Sequence, residues 1–342
     1  MGLIQLPSEL LLLILSFLGT AFFRQDPRRL SICKRWYILA RNVFLAEIEL
    51  SRNGLDRLLH FPDRHNRLAS ITSRVRKVSL QLNGFERWGP ADSDPNGQVV
   101  MQVALHHWTV ELNEDLDALS EILRECTRLQ EIIFIAYSVR HPFQPFLPRR
   151  EYLNSSVLSA LLTARQLTVL HLDTCGSHLL QGAQEETHIC SIIGSLLSTL
   201  KRLRLRMRCI CPVALRPPFD NATVPLKSLI VNLSLSKESP SVASATHSRR
   251  CGMQDESLLK LRADIEKQAA TLTTLMSSPV RVRVLYHNVP SIEMRSFDVL
   301  TGKRMALTDD ADWEDDGESE SDEDLDQQRD LFESDSSDSF IA

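Results

Sequence analysis

The stretch that most restricts how this chain can fold reads LPSELLLLILSFL, residues 6 to 18. From Leu10 to Leu18 only Ser16 is not a large apolar residue. Pro7 suits the first turn of a helix, Ser8 an N-cap, and Glu9 the positive end of the helix dipole. On that helix Leu10, Leu11, Ile14, Leu15 and Leu18 form one stripe, and Leu12, Leu13 and Phe17 fall largely on another. A surface helix carries one apolar stripe; a helix that is apolar all round has to be covered on every side. The expectation is a helix that packs on its own chain along one flank and on a foreign subunit along the other. The nine residues of the run are about half of what spans a bilayer. A secretory leader places basic residues ahead of its apolar core, whereas the first basic residue here is Arg24.

The next segment, DPRRLSICKRWYILARNVF, supplies the first cover. Asp26 reads as an N-cap with Pro27 at the first helical position, and Leu30, Cys33, Trp36, Tyr37, Ala40 and Phe44 follow at mainly helical spacing. A bundle of two or three short helices is too small to bury every apolar side chain it carries. Taken together, LPSELLLLILSFL, a connector and LSICKRWYILA resemble an F-box over roughly residues 3–50. The matching positions are Leu6, Pro7, Glu9, Leu10, Ile14, Leu15, Leu18, Leu30, Cys33, Lys34, Arg35 and Trp36. The connector GTAFFRQDPRR is a few residues longer than usual, and Phe44 or Leu45 stands near the place of the family's frequent late tryptophan. The resemblance implies a docking module that binds the small Skp-type adaptor of SCF ubiquitin ligases and so reaches a cullin and a RING subunit. It assigns adaptor binding to Leu6, Pro7, Leu10, Leu11, Ile14, Leu15, Leu18, Leu30, Cys33 and Trp36.

Beyond this module a six-residue pattern recurs: apolar, two variable, apolar, one variable, apolar. It reads LAEIEL from Leu45, VRKVSL from Val75, LQEIIF from Leu129, LTVLHL from Leu167, LKRLRL from Leu200 and LKSLIV from Leu226. The starts lie 30, 54, 38, 33 and 26 residues apart. This is the strand portion of leucine-rich repeats, at a period looser than the regular 20–29 residues. EDLDALSEILREC, SSVLSALLTA and CSIIGSLLST place helices ahead of three of these strands. The fold class expected is α/β: the helical bundle, then an irregular leucine-rich-repeat-like solenoid with a parallel sheet over residues 51–236. A compact α/β domain with non-repeating connections accounts for the same segments. Residues 237–254 read as a loop, and 255–307 as a helix, a strand and a hairpin turning at Thr301-Gly302 that cap the repeat.

Charge is divided unevenly. From Asp309 onward there are 16 acidic residues and one basic; subtracted from 44 and 39, these leave 28 acidic and 38 basic before it. Residues 308–342 are expected to be a disordered acidic tail, with Ser319 and Ser321 each followed three positions on by an acidic residue, as an acidophilic kinase requires. The variable positions of the strands, Arg76, Lys77, Lys201, Arg202, Arg204, Arg206 and Arg208, make a basic face on which the tail can fold back. Arg76, Arg202, Arg204 and Arg206 are the candidate substrate contacts, suited to acidic or phosphorylated segments.

No GxSxG, HExxH or phosphate-cradling glycine loop occurs, and the chain holds 12 glycines. The pair His106-His107 beside Trp108 reads as packed or exposed rather than catalytic. The seven cysteines are scattered without a CxxC pair, so they read as reduced, mostly buried thiols of a cytoplasmic or nuclear protein, with no metal and no cofactor. The function expected is that of a non-catalytic substrate-recognition adaptor with an unknown protein target and no membrane partner. The alternatives are an F-box scaffold outside ubiquitylation, or a nucleic-acid-associated protein using the basic face.

Overall fold

The computed structural model describes residues 5–60, 64–85, 95–137, 152–163, 166–177, 179–180, 188–219, 223–235, 247–252, 257–288, 293–308 and 311–319. The N-terminal bundle is α1 (Ser8–Gln25), a 3-10 turn Pro27–Leu30 and α2 (Lys34–Phe44). Then follow β1 (Glu47–Ser51), α3 (Arg52–Leu59), α4 (Arg64–Thr72), β2 (Lys77–Leu82), the long α5 (Pro95–Glu125) and β3 (Glu131–Ala136). The middle holds β4 (Leu153–Asn154), α6 (Ser155–Leu161), β5 (Val169–Thr174), β6 (Leu179–Leu180), α7 (Ile189–Leu196), β7 (Arg202–Met207) and β8 (Cys209–Ile210). After these come β9 (Ser228–Asn232), β10 (Arg249–Arg250), α8 (Leu258–Thr273) and β11 (Arg281–His287). The last strands are β12 (Met294–Asp298), β13 (Arg304–Leu307) and β14 (Glu318–Ser319).

Among the described residues, ten strands form one sheet in the order β1-β2-β3-β5-β7-β9-β11-β12-β13-β14. The first seven are parallel and the last three antiparallel, so the protein is α/β with a large, mostly parallel sheet. Each of the six hexapeptides enters its strand at the third residue: Leu45 precedes Glu47, Val75 Lys77, Leu129 Glu131, Leu167 Val169, Leu200 Arg202 and Leu226 Ser228. The backbone explains this constant offset. The carbonyls of Ala46, Arg76, Gln130, Thr168, Lys201 and Lys227 each accept two successive amides of the next strand, at 2.7–3.2 Å. This shared acceptor sets the register before the regular ladder begins. VRVRVLYH, expected in the cap, is instead the seventh parallel strand, β11, and pairs with β9 in the same way.

Side chains alternate between the two faces of each strand. Val78, Leu80, Phe134, Leu170, Leu172, Leu203, Leu205, Leu229, Val231, Val282 and Val284 point into one core. The helices close that core with Leu55, Leu116, Leu119, Leu158, Ile193, Leu261 and Ile265. On the opposite face, pairing aligns Ser79, Ile133, His171, Arg204, Ile230 and Arg283 in a row across six strands. Gly194 lets α7 sit close to the turn Pro212–Leu215, since a Cβ there would lie 2.6 Å from the Arg216 carbonyl oxygen and 2.7 Å from that of Val213.

Three expected boundaries shift. β1 belongs to the sheet, so the N-terminal module gives way to the sheet at Glu47 rather than after residue 50. The expected loop 237–254 contains β10, which pairs in parallel with β8. The expected disordered tail contains residues 311–319, which fold onto the sheet and end in β14. The hairpin of β12 and β13 does turn at Thr301-Gly302, where Gly302 has φ +73° and Asp298 Oδ1 accepts from the amides of Leu300 and Thr301.

Candidate functional site

Two surfaces stand apart from the helix-covered core. The first is the outer flank of α1. Leu11, Leu15 and Phe23 pack with Trp36, Ala40 and Val43 into a small core of their own. Trp36 is fixed there by its indole N–H, which donates to the Arg29 carbonyl at 2.7 Å. Its amide donates to Cys33 Sγ at 3.4 Å, so Cys33 caps α2. Asp26 caps the 3-10 turn as its position predicts, but α1 begins at Ser8 itself, whose Oγ accepts from Arg35 Nη2 at 3.1 Å rather than capping the helix.

On the other flank, Leu10, Leu13 and Phe17 share one helical face and are 47%, 53% and 84% exposed. Leu12 and Leu18 are exposed too, as are Ile32, Tyr37 and Ile38 around α2. One flank of α1 thus packs on its own chain as expected and the other is left exposed, but the stripes divide differently. Leu11, Leu15 and Trp36, expected to meet an adaptor, are sealed in the bundle's own core, because Leu11 and Leu15 are the pair that faces α2. Leu6, Leu30 and Cys33 are half-buried against the same core, and Ile14 is half-buried at the border. Pro7, Leu10 and Leu18 remain outward. Leu13, Phe17, Ile32 and Ile38 join them, and only their exposure, not their spacing, identifies them.

α1 is long and apolar enough to cross a membrane by length and composition alone. Its hydrogen-bonded path is broken at Gly19, whose φ of 71° and ψ of 176° are not helical and favour a residue without Cβ. The half beyond Gly19 is tied to β1: Thr20 Oγ1 donates to Glu47 Oε2 at 2.8 Å, Arg24 Nη2 donates to the Glu47 carbonyl at 2.9 Å, and Arg24 pairs with Glu49. A groove of about 780 Å³ between this helix and the N-terminal ends of β1, β2, β3 and β5 is lined by Gly19, Thr20, Arg74, Arg76, Lys77 and Arg128, among others. Arg76 is exposed there, one residue before β2 begins.

The second surface is that open face, and the chain's own acidic segment covers part of it. Trp313 lies over β5 and β7, its ring 5.0 Å from that of His171, with the Arg206 guanidinium 5.1 Å from its centre. Trp313 also packs with Ile230, Leu285 and Leu307. Glu314 pairs with Arg204 and approaches Arg281 at 3.9 Å. The Asp315 carbonyl accepts from Arg283 Nη1 at 2.7 Å, and Asp316 pairs with the same arginine. Gly317, at φ +68°, turns the strap toward β14, and a Cβ there would drive into the Ala306 carbonyl oxygen.

The expected substrate contacts thus differ among themselves. Arg202 is exposed, Arg204 is held by Glu314, and Arg206 is buried. Asp173 clamps Arg206, Oδ1 accepting from Nε at 3.0 Å and Oδ2 from Nη2 at 2.5 Å, so Arg206 has no free fork for a phosphate. Ser319 is exposed on β14, and Ser321 lies outside the described residues. The histidines of the His106-His107-Trp108 motif are exposed, and Trp108 packs between Phe85 and Tyr152.

Magnitudes decide what holds the strap. Ion pairs with exposed carboxylates contribute about 0–1 kcal/mol each, and Asp316 is 73% exposed. Burying an aromatic side chain contributes about 1.5–3 kcal/mol, so Trp313 is the principal anchor. Trp313→Ala is therefore expected to uncover the face. It should tighten binding of an acidic peptide by about tenfold at low salt, with the gap closing as salt rises; equal affinities in the variant and the parent would remove the strap from any role in recognition.

Burial pushes the His171 imidazole down to about 4, the Arg204 and Arg206 charges adding to it while Asp173 and Asp312 oppose. A histidine whose proton affinity is lowered by covering binds fewer protons than when uncovered. Acidification from the ordinary 6.5 toward 4 accordingly favours release of the strap. Asp316, held below the usual carboxylate range by its bond to Arg283, stays ionised in that window. Proteolysis within the strap should be several-fold faster near about pH 5 than near about pH 7, and His171→Phe should flatten that difference.

No family model matches the chain, and no curated protein matches it.

Proposed function

We propose that this chain is a substrate-recognition adaptor of an SCF-type ubiquitin ligase, with an F-box over the α1–α2 bundle and an irregular leucine-rich-repeat-like solenoid behind it. One observation carries the proposal: a bundle with its own core leaves Leu10, Leu13 and Phe17 in a row on its outer flank. Solvated apolar side chains in such a row have the composition of an interface core, depleted in charge and rich in aromatic and aliphatic anchors. Their place in the LPSELLLLILSFL and LSICKRWYILA segments, which resemble an F-box, selects a Skp-type adaptor as the occupant. In support of the solenoid, seven successive parallel strands share one backbone junction, and all cover the same core with helices.

The mechanism is proximity. The bundle holds the ligase and the open face holds a target, raising the local concentration of a target lysine near a ubiquitin-loaded enzyme, with no residue of this chain reacting. A protein target and the nucleic-acid alternative alike would have to displace the strap, since Arg204, Arg281 and Arg283 are engaged by Glu314 and Asp316, and Arg206 by Asp173. Mixing the full chain with a recombinant Skp-type adaptor tests the proposal, with co-elution on gel filtration and a calorimetric titration as the readouts. A one-to-one complex that recruits a cullin is expected. A folded chain that fails to bind at micromolar concentrations overturns it. A complex that binds a cullin yet leaves every cellular protein level unchanged when the gene is deleted favours the scaffold alternative.

A further inference from the structure

Cysteines that look scattered in the sequence meet in space. His188 precedes α7, Cys190 lies in its first turn, Cys211 follows β8, and Cys251 follows β10. Their four ligand atoms all lie within 4.8 Å of one another. Cys190 Sγ is 3.7 Å from Cys251 Sγ, and Cys211 Sγ is 3.8 Å from His188 Nε2. Two thiolates about 2.3 Å from one tetrahedral ion stand about 3.8 Å apart. Three sulfurs and one imidazole at these separations form a soft, four-point donor set, the kind that selects zinc over magnesium or calcium. Cys190 and Cys211 are buried, and His188 and Cys251 half-buried. That leaves little access for water, as a closed structural site requires and a catalytic one does not.

We propose that His188, Cys190, Cys211 and Cys251 bind one structural zinc ion. Of the three segments brought together, α7 and the turn after β8 are packed in the core, while residues 247–252 are held at the surface of it by a short strand pairing, by bonds of Ser248 to the Leu233 and Met207 carbonyls, and by an ion pair of Arg250 with Asp264. β8 and β10 pair over two residues only, Cys209 with Arg249 and Ile210 with Arg250. The turn at Cys251-Gly252, with Gly252 at φ +75°, lies beyond that short pairing. The ion ties residues 247–252 to the start of α7 and to the turn after β8. Binding releases the thiol protons and joins no other reactant, so the site neither oxidises nor hydrolyses anything.

The test uses the full chain purified under reducing conditions without chelators. About one zinc per chain is expected. Cobalt(II) put in its place should give the intense visible bands of a tetrahedral thiolate site. Cys211→Ser and Cys251→Ser should each retain at least tenfold less metal. Removing zinc with a chelator should raise proteolysis near residues 247–252, and adding zinc back should reverse it; this measurement on the parent protein stands even if the variants do not fold. Absence of stoichiometric metal, retention equal in the variants, or a Cys190–Cys251 disulfide that persists through the reducing purification would each overturn the assignment. The docking proposal is independent of this result.

Discussion

Phe17→Asp is expected to weaken binding of a Skp-type adaptor by at least about a hundredfold while leaving the melting temperature unchanged. Losing a central aromatic anchor costs 2 kcal/mol or more, and a carboxylate forced into the same contact adds a desolvation penalty, so about 2.7 kcal/mol, or a hundredfold, is a lower bound. The fold should not respond, because Phe17 is 84% exposed and packs on nothing in the bundle core. Leu10→Asp should behave in the same way from the same face. Leu15→Asp supplies the contrast: it places a charge in the core beside Trp36, and its loss of binding should arrive together with loss of structure. Calorimetric titration and thermal melts on the same samples separate the two cases. Unaltered affinity for Phe17→Asp and Leu10→Asp together would remove the outer flank of α1 from the interface.

Asp173→Ala is expected to destabilise the chain by about 3–5 kcal/mol, since removing one partner of a buried pair strands the other charge. The geometry makes rescue difficult. Arg206 is bonded through both Nε and Nη2, and Oδ1 of Asp173 also accepts the Cys175 amide at 3.2 Å. The double change Asp173→Leu with Arg206→Met removes both charges and should recover much of the loss, because apolar replacements of such pairs are often neutral. Denaturant unfolding of the parent, single and double variants measures this directly. The single variant should also loosen the strap, since the Arg206 guanidinium lies beneath Trp313. A cost below 1 kcal/mol would mean that water reaches Arg206 and that the open face is wetter there than its burial implies.

Much of the sheet was legible in the sequence, since a strand with one face on a core repeats its apolar residues every second position, and six hexapeptides do so. VRVRVLYH shows the same alternation, yet Pro279 stands where the earlier strands carry an apolar leader, so its place as a further parallel strand was obscured. The division of α1 could not be read, because Leu10 and Leu11 are alike as residues and only the position of α2 distinguishes them. Acidic composition predicts a tail without structure, and the basic strand positions point to its folding back, but neither indicates that residues 311–319 are the part that folds onto the sheet. The lone Trp313 amid aspartates was the available signal, as an aromatic side chain has little to do in a purely solvating segment. The His188 cluster had no local signature at all, its ligands spanning residues 188 to 251.

Within the large sheet every parallel strand pairs with the strands made just before and just after it. A nascent chain leaving the ribosome therefore finds each template already built, and no early strand has to wait for a late one. The strap is the exception. Trp313 emerges after β5, β7, β9 and β11 are complete, so the arginine face lies bare for as long as translation takes to reach it, and the strap closes over strands that are already paired.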